Sequence, residues 1–214
     1  MQSDPRIVEE TKQKVALGLF TAGAIRFGAF RLKLHDSDPG APPSPFYIDL
    51  RIVRSFPELM DAVTDLYVEL LGDLRFELIA DVPTASTPFA VLVSYKTRTP
   101  MITPRLGRKQ HGVSSRIDGV YHAGQTAIVI DDLVTAGESK LEAIAVLREE
   151  GLLVNDVAVL IDRQQGGVEQ LRSGGVSCHS VFRLRDLLCI YRDRQLISAD
   201  QFSNVVTYLR SRDT

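Results

Sequence analysis

The sequence contains only two cysteines, and this scarcity excludes the protein classes that depend on them. Cys178 and Cys189 lack the closely spaced cysteine or histidine partners of a zinc site. Two isolated thiols also do not make the disulfide framework of a small secreted domain. We therefore expect both thiols to be reduced and mostly buried.

The sequence also lacks a strong charge bias and a long apolar run. Its 25 basic and 27 acidic residues give a net charge of −2, so no overall positive field favours nucleic acid or a membrane surface. No uncharged apolar stretch reaches bilayer-spanning length, and residues 1–6 lack the pattern of a signal peptide. We expect a cytoplasmic protein that binds neither nucleic acid nor membrane, in which any functional basic residues are local.

Apolar strand-like segments alternate with helical segments along most of the chain. This alternation predicts a mainly parallel central sheet flanked by helices, an α/β fold with right-handed crossovers. The length fits a single domain over residues 1–214, in which residues 1–55 form an N-terminal helix and a small extension and residues 56–214 form the core. Because functional loops follow the carboxyl ends of parallel strands, three loops should share one rim, those at 81–87, 131–137 and 162–167.

Local signals predict several element boundaries. Strands are expected at 28–33 and 46–50 around a proline-rich connection. Ser55 and Glu58 have the spacing of a capping box at a helix start, and so do Ser198 and Gln201. Residues 104–118 carry basic side chains and glycines with few apolar anchors, which predicts a mobile loop.

One stretch, residues 127–142, combines the features of a phosphate site with two carboxylates. Four apolar residues predict a buried strand that ends at Asp131 and Asp132. The Thr135-Ala136-Gly137 turn then leads into an amphipathic helix with Leu141, Ile144, Ala145 and Leu147 on one side. Free amides and the helix dipole at such a helix start attract a phosphate. Two carboxylates would repel a phosphate beside them, unless they bind hydroxyls or a cation of the same ligand. The alternative is an ordinary turn with solvated carboxylates.

This stretch resembles the signature of type I phosphoribosyltransferases, which bind phosphoribosyl pyrophosphate (PRPP). The resemblance implies the type I phosphoribosyltransferase fold with a small N-terminal hood. It also implies that Asp131 and Asp132 hold the ribose hydroxyls, directly or through water on Mg²⁺ that PRPP carries. The 5′-phosphate would be cradled by the five residues that follow, Thr135, Ala136, Gly137, Glu138 and Ser139.

Three further segments resemble the orotate phosphoribosyltransferases. The run at 104–112 is similar to their flexible catalytic loop, with matches at Arg105, Lys109 and His111. The segment at 162–167 is similar to their Asp-Arg motif, in which the arginine contacts orotate; here it is Arg163. The region from Phe30 to Arg51 matches a further family motif, and its expected orotate-binding residues are Lys33, Phe46 and Tyr47.

The resemblance implies a Mg²⁺-dependent transfer of the phosphoribosyl group to orotate, releasing pyrophosphate, in pyrimidine biosynthesis. The transition state is oxocarbenium-like, so charge stabilisation should dominate catalysis. Arg105 and Lys109 would bind the leaving pyrophosphate, and His111 would donate a hydrogen bond or a proton to it. The family relationship also implies a homodimer in which the loop at 104–118 reaches the neighbouring subunit's site.

Three departures from the family pattern keep other readings open. Leu106 replaces an expected basic residue, residues 34–43 form a longer connection, and Glu138 occupies a position where glycine or threonine is usual. A carboxylate at position 138 must point outward, because it would repel a bound phosphate. The alternatives are a phosphoribosyltransferase for another base, and a regulatory protein that binds PRPP or a nucleotide without turnover. Retention of Arg105, Lys109 and His111 favours an enzyme.

Overall fold

A computed structural model describes residues 4–31, 38, 40–107 and 116–211. Its N-terminal part consists of helix α1 (Pro5–Thr21), a hairpin of antiparallel strands β1 (Ile25–Phe30) and β2 (Ser44–Ile48), and a 3₁₀ helix (Leu50–Ser55). Asp4 caps α1 and Pro5 occupies its first turn, where the missing amide proton costs nothing. The hairpin is not part of the central sheet.

Within the residues that the structure describes, the central sheet has six strands in the order β5-β4-β3-β6-β7-β8. All neighbouring pairs are parallel except β4 with the two-residue strand β5. The strands are β3 (Leu78–Asp81), β4 (Met101–Pro104), β5 (Ile117–Asp118), β6 (Thr126–Val134), β7 (Leu153–Asp162) and β8 (Ser177–Arg183). The predicted α/β fold with a mainly parallel sheet is confirmed.

Helices cover both faces of this sheet. They are α2 (Pro57–Leu71), α3 (Thr87–Thr97), α4 (Glu138–Glu149), α5 (Gly167–Ser173), α6 (Leu184–Asp193) and α7 (Ala199–Arg210). Alternate strand residues feed two separate cores, as strand geometry requires: Ile128 and Ile130 pack with α2 and α3, whereas Val129 packs with α4. The first core also includes α1, the hairpin, α6 and α7, so the N-terminal elements share a core with the main body.

Several predicted boundaries need correction. The first strand begins at Ile25 and ends at Phe30, so it does not occupy 28–33. The capping box predicted at Ser55 is absent, because Ser55 ends the 3₁₀ helix and Phe56 precedes α2 without a side-chain cap. The capping box of Ser198 and Gln201 is present in full at the start of α7.

Strand β6 is longer than predicted, and this difference affects the functional rim. It continues through both aspartates to Val134, because its ladder with β7 extends to Val134 opposite Asp162. The pair of carboxylates therefore lies on a paired strand and not in a loop. Within the described part of the chain, no helix has both the length and the apolar character needed to cross a membrane.

Candidate active site

A cavity of 670 Å³ lies at the carboxyl ends of β3, β6 and β7. As predicted, loops that follow three different strands meet there. The walls come from the turn after β3, from the end of β6 with the start of α4, from the turn after β7, and from α7. The lining residues are Val82, Pro83, Ala85, Asp131, Asp132, Leu133, Thr135, Ala136, Gly137, Glu138, Ser139, Lys140, Arg163, Gln165 and Tyr208.

The start of helix α4 faces this cavity with its backbone amides open. Gly137 stands at the N-cap with φ of 88°, a left-handed conformation that glycine adopts readily, and none of the described side chains caps the helix. Thr135 to Ser139, the predicted phosphate cradle, all line the cavity. Uncapped amides at the positive end of the helix dipole form a site for an anion such as phosphate.

Glu138 lies in the first turn of α4 and is exposed. Its carboxylate is therefore solvated at the cavity edge and is not buried against the amides of the turn. An exposed acid in the first turn also interacts favourably with the helix dipole. This placement explains how a carboxylate is accommodated within the turn.

The turns after β6 and β7 touch each other at Gly167. A Cβ atom added to Gly167 would overlap the carbonyl oxygen of Thr135 and the side chain of Val134. The backbone amide of Arg163 also donates a hydrogen bond of 3.0 Å to the carbonyl of Val134. These contacts fix the distance between the turn at 135–137, called the phosphate turn below, and the segment that carries Arg163.

Asp131 is held on three sides by protein groups. Its Oδ2 lies 2.6 Å from Nζ of Lys140, and its Oδ1 accepts a hydrogen bond of 2.8 Å from the amide of Asp132. Its backbone carbonyl accepts a hydrogen bond of 2.7 Å from the hydroxyl of Tyr67, which is fully buried. Both carboxylates were predicted to bind the ligand in the same way, but the two side-chain oxygens of Asp131 already contact Lys140 and the amide of Asp132.

Asp132 is only partly buried and borders the cavity. Burial and the neighbouring negative charge of Asp131 raise its pKa to about 7, while Lys140 opposes the rise. Its Oδ1 accepts a hydrogen bond of 2.8 Å from the amide of Leu133. The site thus keeps a carboxylate in an environment that disfavours its charge unless a ligand supplies compensating donors or positive charge.

Arg163 occupies another wall of the cavity, against the aromatic ring of Phe46. Its guanidinium carbon lies 5.0 Å from the centroid of that ring, and Tyr208 packs edge-on against the same ring at 6.1 Å. Burial lowers the pKa of Arg163. Strand β2 and helix α7, far apart in sequence, therefore both position this arginine.

Two polar atoms near this wall are buried without a hydrogen-bond partner among the described residues. They are Nε of Arg163 and Oε1 of Gln165, a donor and an acceptor. A buried polar atom without a partner costs about 1–3 kcal/mol, so native proteins rarely retain one without a reason. A ligand that presents an acceptor to Arg163 and a donor to Gln165 would satisfy both.

The predicted orotate-binding residues Phe46 and Tyr47 point to opposite sides of β2. Neither side chain lines the cavity: Phe46 is buried under Arg163, and Tyr47 is partly exposed. Tyr47 instead packs against Arg26, at 5.0 Å from the guanidinium carbon to the ring centroid, and against Phe30 at 5.7 Å. The structure therefore brings Phe46, but not Tyr47, to Arg163.

The predicted catalytic residues are only partly covered by the structure. Arg105 forms an ion pair with Asp118 on β5, with Nε 3.0 Å from a carboxylate oxygen, and does not line the cavity. Lys109, His111 and Lys33 lie outside the described residues. Their predicted roles stay predictions.

The donor set of the cavity suits Mg²⁺ that arrives with a phosphorylated ligand. Among the described residues there is no group of three or more His, Cys, Asp or Glu side chains arranged to hold a metal. Mg²⁺ is usually held by one or two carboxylates together with substrate phosphates and water. Asp132, beside an anion-binding helix start, fits that pattern.

Three residues of the site were missed by the sequence reasoning: Lys140, Gln165 and Tyr208. Lys140 carried a signal, because it precedes the buried Ile144 and Leu147 by four and seven residues and so lies on the inner side of α4. Gln165 stands within the recognised segment at 162–167 without a feature of its own. Tyr208 is brought in by α7 from the end of the chain, and no local pattern indicates this.

No family model matches the chain. It is 38% identical over 192 residues to the orotate phosphoribosyltransferase of Pyrobaculum aerophilum, covering 89% of this chain and 95% of that protein. It is 34% identical over 195 residues to the bovine uridine 5′-monophosphate synthase, covering 90% of this chain and 39% of that protein.

A solved structure gives a similar result. The structure of Leishmania donovani UMP synthase superposes with a TM-score of 0.83 and 34% identity, over 94% of this chain and 42% of that one. The chain thus spans about two fifths of the length of the two synthases it matches, and nearly the whole of the archaeal protein.

Proposed function

The chain belongs to the orotate phosphoribosyltransferase family, and from this premise we propose that it transfers the phosphoribosyl group of PRPP to orotate, releasing pyrophosphate and orotidine 5′-monophosphate. This makes it a pentosyltransferase of pyrimidine biosynthesis. The observation that carries the proposal is the buried Nε of Arg163, which has no hydrogen-bond partner among the described residues and shares a cavity with an uncapped helix start. The cavity therefore offers one cationic group for a carboxylate and a separate place for a phosphate.

The residues divide the substrate between them. The amides at 135–139 would bind the 5′-phosphate, and Asp132 the ribose hydroxyls. Arg163 would pair with the carboxylate of orotate, because a guanidinium fork matches a carboxylate geometrically. Phe46 supports this arginine from behind, so the base is oriented by a side chain that is itself held in place.

Reaction at the anomeric carbon then depends on charge stabilisation. Bond cleavage to pyrophosphate places positive charge on the ribose and negative charge on the leaving group. Mg²⁺ carried by PRPP would supply part of the compensating charge when bound. Arg105, Lys109 and His111 would supply the rest once the loop at 104–118 covers the site, and closure would exclude water that otherwise hydrolyses PRPP.

We also propose a homodimer in which this loop serves the neighbouring subunit. Arg105 pairs with Asp118 and contributes nothing to its own cavity, which supports a role elsewhere. Val91 and Tyr95, one turn apart on α3, are 49% and 65% exposed and offer an apolar face to a second copy. The cytoplasmic location expected from the sequence remains a prediction.

Subunit mixing tests the shared site. Lys109→Ala removes the loop cation and Asp132→Asn removes the ribose contact, so each homodimer should be almost inactive. In a mixed dimer one of the two sites would combine both intact halves, so we expect about half of wild-type activity per mixed dimer, or about a quarter for a random mixture in which half of the dimers are mixed. Mass-verified mixed dimers without any recovery would contradict a loop that acts in trans.

The base is tested by a spectrophotometric assay with PRPP, Mg²⁺ and a panel of orotate, uracil, hypoxanthine and xanthine, with pyrophosphate measured in parallel. We expect consumption of orotate alone, with one pyrophosphate released per orotate. Consumption of a purine but not of orotate would favour the phosphoribosyltransferase for another base. Binding of PRPP without turnover of any base would favour the regulatory protein.

A further inference from the structure

Lys140 and Asp131 form an ion pair that is almost completely shielded from solvent. The ammonium and the carboxylate oxygen lie 2.6 Å apart, and the two side chains are 4% and 6% exposed. Removing two charges from water carries a large desolvation penalty, and replacing a buried pair by apolar residues is often neutral or stabilising. A pair retained at the wall of a binding cavity therefore suggests a role in the site rather than in overall stability.

The position of the pair in the chain indicates what it holds. Asp131 lies on β6 and Lys140 in the first turn of α4, so their contact spans the phosphate turn at 135–137. The amide of Lys140 also bonds to the carbonyl of Gly137 at 3.1 Å. The contact closes the chain into a loop of about ten residues whose inner surface is the phosphate site, and the loop cannot widen without separating the two charges.

The two carboxylates of the motif differ in how far protein donors already engage their oxygens. Both oxygens of Asp131 are engaged by protein donors, Lys140 and the amide of Asp132. Asp132 uses Oδ1 for the amide of Leu133, but it is only partly buried, whereas Asp131 is buried. The amide that Asp131 binds is that of Asp132 itself, so the position of Asp131 sets the orientation of the residue that faces the cavity.

We propose that Lys140 and Asp131 act together as positioning residues, which clamp the phosphate turn and orient Asp132, and that Asp132 alone of the two carboxylates contacts the ribose of PRPP. This inference rests on the proposed function for the identity of the ligand. It assigns Lys140 a role in PRPP affinity although its ammonium contacts no ligand. Arg163 follows β7 and is not itself a member of the clamp.

A double-mutant cycle with Lys140→Met, Asp131→Asn and the double variant tests the clamp. The measurement is the Kd of PRPP with Mg²⁺, without any base, by isothermal titration calorimetry. Lys140→Met leaves a buried unpaired carboxylate, and we expect it to weaken PRPP binding about tenfold or more. The double variant has a neutral pair in which the introduced side-chain amide still accepts a hydrogen bond from the backbone of Asp132, and its Kd should return to within about threefold of wild type.

The alternatives give different patterns. If Lys140 swings out to bind the phosphate itself, the double variant will bind PRPP as weakly as Lys140→Met. If Asp131 binds the ribose directly, the two losses will multiply. Either result would overturn the clamp. If Lys140→Met does not fold, the double variant still tests the role of Asp131. A PRPP Kd as weak as that of Asp132→Asn would exclude a purely positioning role for Asp131 and overturn the clamp.

A KM comparison and a matched control separate positioning from general destabilisation. In the clamp, Lys140→Met raises the KM for PRPP while the KM for orotate changes less than about twofold. Lys14→Met, with the same chemical change on the exposed side of α1, should leave both constants unaltered. Wild-type protein that binds PRPP but does not transfer its phosphoribosyl group to orotate would refute the proposed function, and the clamp could still be tested by PRPP binding. Absence of PRPP binding would refute both.

Discussion

Replacing Asp132 by asparagine should stabilise the ligand-free protein in a pH-dependent way. The fold raises the pKa of Asp132 from 3.8 to about 7, chiefly through burial and the charge of Asp131. Between these values the native state keeps a proton that the unfolded chain has released. Ionisation of Asp132 therefore lowers the free energy of unfolding. This loss of stability grows as pH rises from about 4 to about 7 and is constant above that.

The magnitude follows from the difference between the two pKa values. About three pKa units at about 1.4 kcal/mol each give an upper bound of about 4 kcal/mol. Because the side chain is partly open to the cavity, solvent screens the interaction, and we expect about half of this, or about 2 kcal/mol. Asparagine has the same shape and still accepts the hydrogen bond from Leu133, so the charge is the main change.

Urea unfolding at one protein concentration, with EDTA and without ligand, measures this effect. Circular dichroism is the suitable probe, because the chain contains no tryptophan. The free energy of unfolding of Asp132→Asn minus that of wild type should be near zero at about pH 4, rise until about pH 7 and then level off. Glu142→Gln, on the exposed side of α4, is the matched control and should show no such rise.

A difference that stays flat across this pH range would refute the reasoning, because it would mean that the carboxylate is solvated in the native state. A variant that becomes less stable than wild type above neutral pH would refute it more strongly. In that case the ionised form of Asp132 would be favoured in the native protein, and the site would need no ligand to compensate its charge.

Three further substitutions test the geometry around the site. Gly167→Ala should raise the KM for both PRPP and orotate and lower the melting temperature, because its methyl group overlaps the phosphate turn. An unchanged KM for either substrate would show that the turns after β6 and β7 adjust independently. Tyr67→Phe should cost about 1–2 kcal/mol in urea unfolding, because it leaves the carbonyl of Asp131 without its donor, and an unchanged midpoint would contradict that bond. Ser198→Ala should cost about 1 kcal/mol through loss of the capping box, with Ser203→Ala as a control, and equal losses in both variants would count against the cap.

Most of the fold follows from the sequence because the strands are short apolar runs between turn signals. Residues 157–161 are buried on both faces of the sheet, which is why they form a continuous apolar segment. Errors arose where tertiary pairing overrides local pattern. The apolar run predicts a strand that ends at Asp131 and Asp132, but the ladder with β7 carries the strand on to Val134.

The candidate site was predictable where a motif is local and unpredictable where partners come from afar. The phosphate turn and Arg163 lie in contiguous segments, and the structure brings both to one cavity. The support of Arg163 by Phe46 and Tyr208 depends on how β2 and α7 fold over the rim. The inequivalence of the two aspartates depends on Lys140, a charged residue on an inner helix face that only a structure pairs with its partner.

The central claim is that Arg163 recognises a carboxylated base in the cavity where PRPP binds. Steady-state kinetics of wild type and Arg163→Leu with orotate and PRPP, together with the PRPP Kd measured without base, test it most directly. We predict efficient turnover by wild type, a loss of about a hundredfold or more in kcat/KM for orotate in the variant, and a PRPP Kd within about twofold of wild type. Arg172→Leu, an exposed control on α5, should behave as wild type. An Arg163→Leu enzyme that turns over orotate at the wild-type rate would contradict the account.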